Sequence, residues 1–231
     1  MNNPVMKQLT PEYKALAIHF DLPFSYIKAY AESLNSIPAG WFLSWFSMVC
    51  EPNCEIALSD NQVFDETGLS KRRWYYVRKI LLDKKVIVNR REFGKSLYRL
   101  HEDNIELLLR KSQSAFIAPI NVNRAHMSCL LRLGLTLKAV ILNAYIIDCN
   151  PARDLSERCD DGVPILLIDE DIYRDTFLSS SQINTSLNEL KKLGIISIVH
   201  QNQQRYAIVH YQKLGELTYQ FIENESGDYN E

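Results

Sequence analysis

The residues best equipped for chemistry lie in one stretch of the chain. Between Lys71 and Arg99 there are eleven basic side chains against two acidic ones, Asp83 and Glu92, a local charge of +9. The other 15 basic and 26 acidic residues amount to −11, so the formal net charge of −2 hides an electropositive island on an acidic body. Acid concentrates at Asp154–Asp175, with eight acidic and two basic residues, and over Glu216–Glu231, with five acidic and none basic. Such an island is the electrostatic footprint of a polyanion contact, and arginine forks suit guanine edges and phosphate oxygens. Other constellations offer less. Cys50-x3-Cys54 has no second pair and no suitably spaced histidine, which favours packed thiols over a metal site. Asp169-Glu170-Asp171 reads as helix N-terminal capping and dipole complementation rather than a cation site. The five histidines (19, 101, 126, 200 and 210) pair with no Ser or Cys nucleophile, and the eight glycines form no phosphate-cradling loop. The expectation is a protein with no catalysis, no metal and no cofactor.

A chain of 231 residues and 26.8 kDa is long for one small domain and comfortable for two of about 100 residues each. At 46% hydrophobic and 23% charged it has the composition of a globular protein. The start, Met1-Asn2-Asn3-Pro4, shows no basic patch followed by an apolar run. The longest apolar stretches, Trp41–Cys50 and Ala139–Ile147, fall short of the roughly 20 residues that span a bilayer. Five cysteines at irregular spacing (50, 54, 129, 149 and 159) suggest reduced thiols. Together these imply a cytoplasmic protein with no membrane association.

Several elements must position the basic island. Apolar residues recur at helical spacing from Leu9 to Ser36 (Leu16, Phe20, Tyr26, Ile27, Tyr30, Leu34), and Pro11, Pro23 and Pro38 divide them into two short helices and a restart. Gly40 to about Val49 is apolar nearly all round and should be a buried helix. Cys54–Leu58 alternates like a strand. Ser59 or Asp60 can cap a helix over Asn61–Glu66, Thr67-Gly68-Leu69 makes a turn, and Ser70 caps a basic helix running to about Lys84. Val86–Arg90 and Ser96–Leu100 form a hairpin around Arg91-Glu92-Phe93-Gly94-Lys95, and a helix closes the domain at about Asp103–Lys111.

The pattern then occurs again. A shift of 109 places Leu58 on Leu167, Asp60 on Asp169, Thr67 on Thr176, Leu69 on Leu178, Ser70 on Ser179, Trp74 on Ile183, Leu81 on Leu190 and Val86-Ile87 on Ile195-Ile196. Tyr98 finds Tyr206 with a shift of 108. The second copy leads with a helix over Leu137–Cys149 and carries an acidic, polar insertion at 150–163. An internal repeat of this length means two copies of one domain. The expected division is a helical arm at 1–38, a basic domain at 39–115 and an acidic domain at 124–231.

The stretch TGLSKRRWYYVRKILLDKKVIVNR resembles the turn, recognition helix and first wing strand of bacterial winged-helix DNA-binding proteins, and FLSSSQINTSLNELKKLGIISI looks the same. The resemblance covers about residues 40–110 and 135–215, and the tandem arrangement resembles plasmid or phage replication initiators and duplicated regulators. It implies an α+β fold, mainly α with small β wings, in two tandem winged helix-turn-helix domains. Two positions depart from the pattern: Gly68 becomes Phe177, which challenges normal turn geometry in the second copy, and Arg78 replaces the core-like Leu187.

With Trp74, Val77 and Leu81 turned inward, Arg72, Arg73, Tyr75, Tyr76 and Lys79 face outward. Ser70 and Lys71 sit where the helix N-terminus favours a phosphate, and Arg90, Arg91 and Lys95 lie on the wing. These ten are the expected DNA-binding residues. A second, uncharged set on the repeated helix comprises Ser180, Ser181, Gln182, Asn184, Thr185 and Asn188, where amides could read adenine. Without cations its affinity should be low, so DNA contact stands there beside dimerisation or partner binding. The leading expectation is a sequence-specific double-stranded-DNA-binding transcriptional regulator acting by operator occupancy. The alternatives are a plasmid or phage replication initiator binding origin repeats, and a winged-helix protein–protein scaffold. A homodimer through the N-terminal helices and a protein partner through the acidic second domain are the further partners this reading allows.

Overall fold

The computed structural model describes residues 24–51, 53–110, 112, 117–149 and 163–227. The segment 9–23 of the expected N-terminal helices, most of the 150–163 insertion and Cys159 lie outside the described residues. The protein is mixed α and β, with helices dominating and short antiparallel sheets, which agrees with an α+β class. No helix among the described residues is long and apolar enough to cross a membrane.

The described residues fall into two compact units, Phe24–Ile120 and the part from Asn121 onward. Residues 24–38, assigned above to an arm, belong to the first. That unit runs β1 (Phe24–Tyr26), α1 (Lys28–Leu34), α2 (Ile37–Val49), β2 (Ile56–Ala57), α3 (Asp60–Thr67), α4 (Lys71–Asp83), β3 (Ile87–Glu92), β4 (Lys95–Leu100) and α5 (Glu102–Arg110). The chain continues with β5 (Ile120–Val122), α6 (Arg124–Arg132), α7 (Leu137–Asp148), β6 (Ile165–Leu166), α8 (Asp169–Thr176), α9 (Ser180–Lys192), β7 (Ile196–Gln201), β8 (Gln204–Val209) and α10 (Tyr211–Gly227). The order strand, two helices, strand, two helices, two strands, helix occurs twice. The repeat therefore begins before the helix at Gly40. Ser36 caps α2 by accepting from Ala39 N–H, and Thr136 caps α7 by accepting from Ala139 N–H, both at 3.3 Å and 100 residues apart. The greater number of residues between α7 and β6 than between α2 and β2 changes that offset to 109.

The offset of 109 then holds without a gap through the hairpin. Ile56 faces Tyr98 across β2 and β4, and Ile165 faces Ala207 across β6 and β8. The structural counterpart of Tyr98 is thus Ala207, which corrects the pairing with Tyr206. Tyr98 fills its core with an aromatic ring, whereas Tyr206 turns its hydroxyl to Gln204 Oε1 at 2.7 Å. The correspondence extends to His101 and His210, whose N–H groups donate to Val86 and Ile195 carbonyls.

The two cores use different side chains. In the first unit Trp41 stacks edge-on against Phe24 (4.4 Å between centroids), and Phe42 packs on Trp74, which meets Tyr98 at 5.7 Å. The second is aliphatic, with Ile141, Leu142, Ile172, Leu178, Ile183 and Leu190 buried. α1 and α2 approach so closely that a Cβ on Gly40 would overlap the backbone of Ala31.

The turn before each of α4 and α9 is built alike. Gly68 and Phe177 both adopt the left-handed conformation, at φ 67 and φ 66. The replacement of glycine does not alter the turn; it places a bulky residue in a region that costs an L-amino acid about 1–2 kcal/mol. A buried threonine secures each turn. Thr67 Oγ1 donates to Val63 O and accepts from Leu69 N–H, and Thr176 Oγ1 does the same with Ile172 O and Leu178 N–H.

Candidate nucleic-acid interface

α3 and α4 are set by local chemistry first. Ser59 and Gln62 form a reciprocal capping box at the start of α3, with bonds of 3.1 and 2.9 Å, so the cap is Ser59 and not Asp60. Ser70 Oγ accepts from Arg73 N–H at 3.4 Å and begins α4. The Trp41 indole N–H donates to Thr67 O at 2.9 Å, fixing the turn against α2. α4 then buries Trp74, Val77 and Leu81, as their spacing requires.

The opposite face of α4 is exposed. Ser70, Lys71, Arg72, Arg73, Tyr75, Tyr76 and Lys79 all reach solvent. Arg72, Arg73 and Lys79 make no ion pair among the described residues, whereas Lys71 lies 3.3 Å from Asp60. The Tyr75 and Tyr76 rings meet edge-on at 5.6 Å and are each more than half exposed. Arg78, at the position that Leu187 holds in the second unit, is half-buried. Its guanidinium bonds Tyr98 Oη at 3.4 Å and lies 5.9 Å from the Tyr75 ring centroid. A long amphipathic side chain thus replaces leucine without unseating the helix.

The three cations expected on the wing differ in how the β3–β4 hairpin holds them. Arg91 and Lys95 are exposed and without ion pairs among the described residues. Arg90 is committed to two carboxylates, donating to Glu55 at 2.5–2.9 Å and reaching Glu92 at 2.6 Å. Arg90's hydrogen bond, reinforced by its charge and that of Arg99, holds the Glu55 carboxyl below its ordinary range. Of the three, Arg91 and Lys95 are the charges available to a polyanion.

Sequence reasoning passed over Phe93. It sits at the hairpin tip, 95% exposed, with φ 48. The signal was present in the Phe-Gly dipeptide at a two-residue turn, where Asn-Gly or Asp-Gly is the usual choice.

The corresponding surface of the second unit carries no such charge. On α9, Ser180, Ser181, Asn184, Thr185 and Asn188 are exposed and Gln182 is half-buried, its Oε1 accepting from Ser179 N–H at 3.0 Å. Thr185 Oγ1 donates to Ser181 O at 2.9 Å. Asn184 accepts from Arg205 at 2.6 Å, and Arg205 also pairs with Asp169, so this hairpin cation is spent within the unit. Asp169, Glu170 and Asp171 occupy the first turn of α8, where they complement the helix dipole. None of them caps it, because the cap position is Ile168 and makes no side-chain bond. Cys50 Sγ, in the Cys50-x3-Cys54 pair, bonds Cys54 O at 3.4 Å, and burial raises its pKa.

Comparisons with protein-family models, curated proteins and solved structures give no match to this chain.

Proposed function

We propose that this protein binds double-stranded DNA through its first unit, as a tandem winged-helix protein whose α4 enters the major groove and whose β3–β4 hairpin is the wing. The observation that carries the reading is the pairing of two features on one amphipathic helix. Trp74, Val77 and Leu81 anchor the inner face, while Arg72, Arg73 and Lys79 stand on the outer face with no carboxylate paired to them among the described residues. Exposed cations at a capped helix start suit phosphate contact, and arginine forks add base readout. The second unit, with amides and hydroxyls on α9 and its one wing cation tied to Asp169, adds readout or assembly rather than anchoring.

In the cell such binding would regulate transcription by occupying an operator. A second role, initiation of plasmid or phage replication, is favoured by the unlike faces of α4 and α9, which suit a non-palindromic site. Binding sites in repeated arrays at an origin, rather than one site beside a promoter, separate the two.

Fluorescence anisotropy of the full chain on mixed-sequence duplexes over a salt series tests DNA binding itself. Arg72, Arg73, Lys79, Arg91 and Lys95, each neutralising one phosphate, give a log–log slope of about −4.5 at about −0.9 per phosphate. Absence of binding at low salt would refute the reading.

A further inference from the structure

Phe93 is the most exposed large apolar side chain among the described residues, and it occupies a turn position that disfavours it. Register pairs Glu92 with Lys95, leaving Phe93 and Gly94 as a two-residue loop with φ of 48 and 77. Positive φ at both central residues marks a type I′ turn, which prefers Asn, Asp or Gly at the first position. The hairpin of the second unit follows that rule. Its loop, between Gln201 and Gln204, holds Asn202 and Gln203 at φ 50 and 63. The first hairpin places a bulky aromatic residue in the same strained geometry, and 95% exposure leaves it almost no contact within the fold to offset the strain. What Phe93 contributes is therefore to be sought in a partner. The flanking side chains define that partner's charge, since Arg91 and Lys95 are exposed cations without ion pairs among the described residues.

We infer that Phe93 is an apolar wedge that enters the minor groove of duplex DNA and partly unstacks a base step, while Arg91 and Lys95 hold the phosphates on either side. Side chains of this type, inserted from the minor groove, separate stacked bases and kink the duplex. Pyrimidine–purine steps, which unstack most readily, are the preferred targets. The inference rests on the DNA-binding reading and gives the wing a task distinct from that of α4. It also accounts for the difference between the two hairpins, one tipped with phenylalanine and the other with asparagine.

The test uses the full chain and a short duplex with 2-aminopurine at a central TA step, whose fluorescence rises when the base unstacks. Wild type is compared with Phe93→Asn, which installs the residue of the second hairpin, with Phe93→Leu, which keeps an apolar tip, and with Arg72→Ala/Arg73→Ala. Loss of one stacked aromatic contact weakens binding about tenfold. Phe93→Asn should show that loss, no fluorescence rise, an unchanged salt slope and a melting temperature at least equal to wild type. Phe93→Leu should keep the rise. If wild type and Phe93→Asn bind equally and raise fluorescence equally, or if Phe93→Leu loses the rise, the wedge is refuted while DNA binding stands. If wild type fails to bind the duplex, the wedge and the DNA reading fall together.

Discussion

Replacing Arg72 and Arg73 by alanine removes two cations that the fold does not use. Neither makes an ion pair among the described residues, and both project from the face of α4 opposite Trp74 and Val77. Surface substitutions of that kind usually change stability by no more than about 0.5 kcal/mol, so the variant should melt with the wild type. Its effect on binding is calculable. Each phosphate contact contributes about 0.9 to the slope of log K against log salt, so losing two reduces the slope by about 1.8. At 0.1 M salt that corresponds to about 60-fold weaker binding, or about 2.5 kcal/mol, and the difference should shrink towards nothing near 1 M. Anisotropy titrations of both proteins on the same duplex at four or more salt concentrations give both quantities. Equal slope and equal affinity for wild type and variant would show that these side chains do not meet DNA, and the assignment of α4 as the groove helix would fail. A large affinity loss at every salt concentration, with the slope unchanged, would instead assign the arginines to base edges alone.

Four further outcomes follow from the packing and the charges. Gly40→Ala forces a Cβ onto the Ala31 backbone and should destabilise the first unit by about 1–3 kcal/mol, as overpacked sites do, read as a lowered thermal midpoint. Val140→Ala, at the equivalent position of the second unit, instead removes buried methyl groups, and its cost should come from lost packing. The Glu55 carboxyl, held down chiefly by the Arg90 hydrogen bond, should titrate below the ordinary glutamate value of about 4.3 by NMR, and Arg90→Ala should raise it. The sign follows: with a depressed folded-state pKa, the stabilisation by this pair is present above the ordinary value and is lost as pH falls through the depressed one. Native alkylation should spare Cys129, whose thiol is pushed up to about 11 by burial, and modify it only on unfolding.

Much of the first unit was legible in the sequence because its signals are local. The spacing of Trp74, Val77 and Leu81, the caps at Ser59 and Ser70, and the hairpin around Phe93-Gly94 all depend on neighbours within a few residues. The second copy was legible for the same reason from Leu167 to Ile196. Ahead of it only the lead helices α2 and α7 were legible; β1–α1 and β5–α6 were not matched, since the front of the repeat shares geometry but not side chains: Trp41 and Phe42 on one side correspond to Ile141 and Leu142 on the other. Backbone geometry also survived a substitution that composition argued against, as Phe177 shows by matching Gly68. Side-chain partnerships across elements were the hidden part. Nothing in the chain order indicates that Arg90 is held by Glu55, 35 residues away, or that Arg205 is held by Asp169 and Asn184.

The central claim is that DNA is held by α4 and the first hairpin, and hydrogen exchange with mass spectrometry on the full chain, with and without duplex, tests it most directly. Slowed exchange in residues 70–79 and 90–96, with the buried helix α7 unchanged, is the expected result. Slowing confined to residues 163–227, or none at all under saturating duplex, would contradict it.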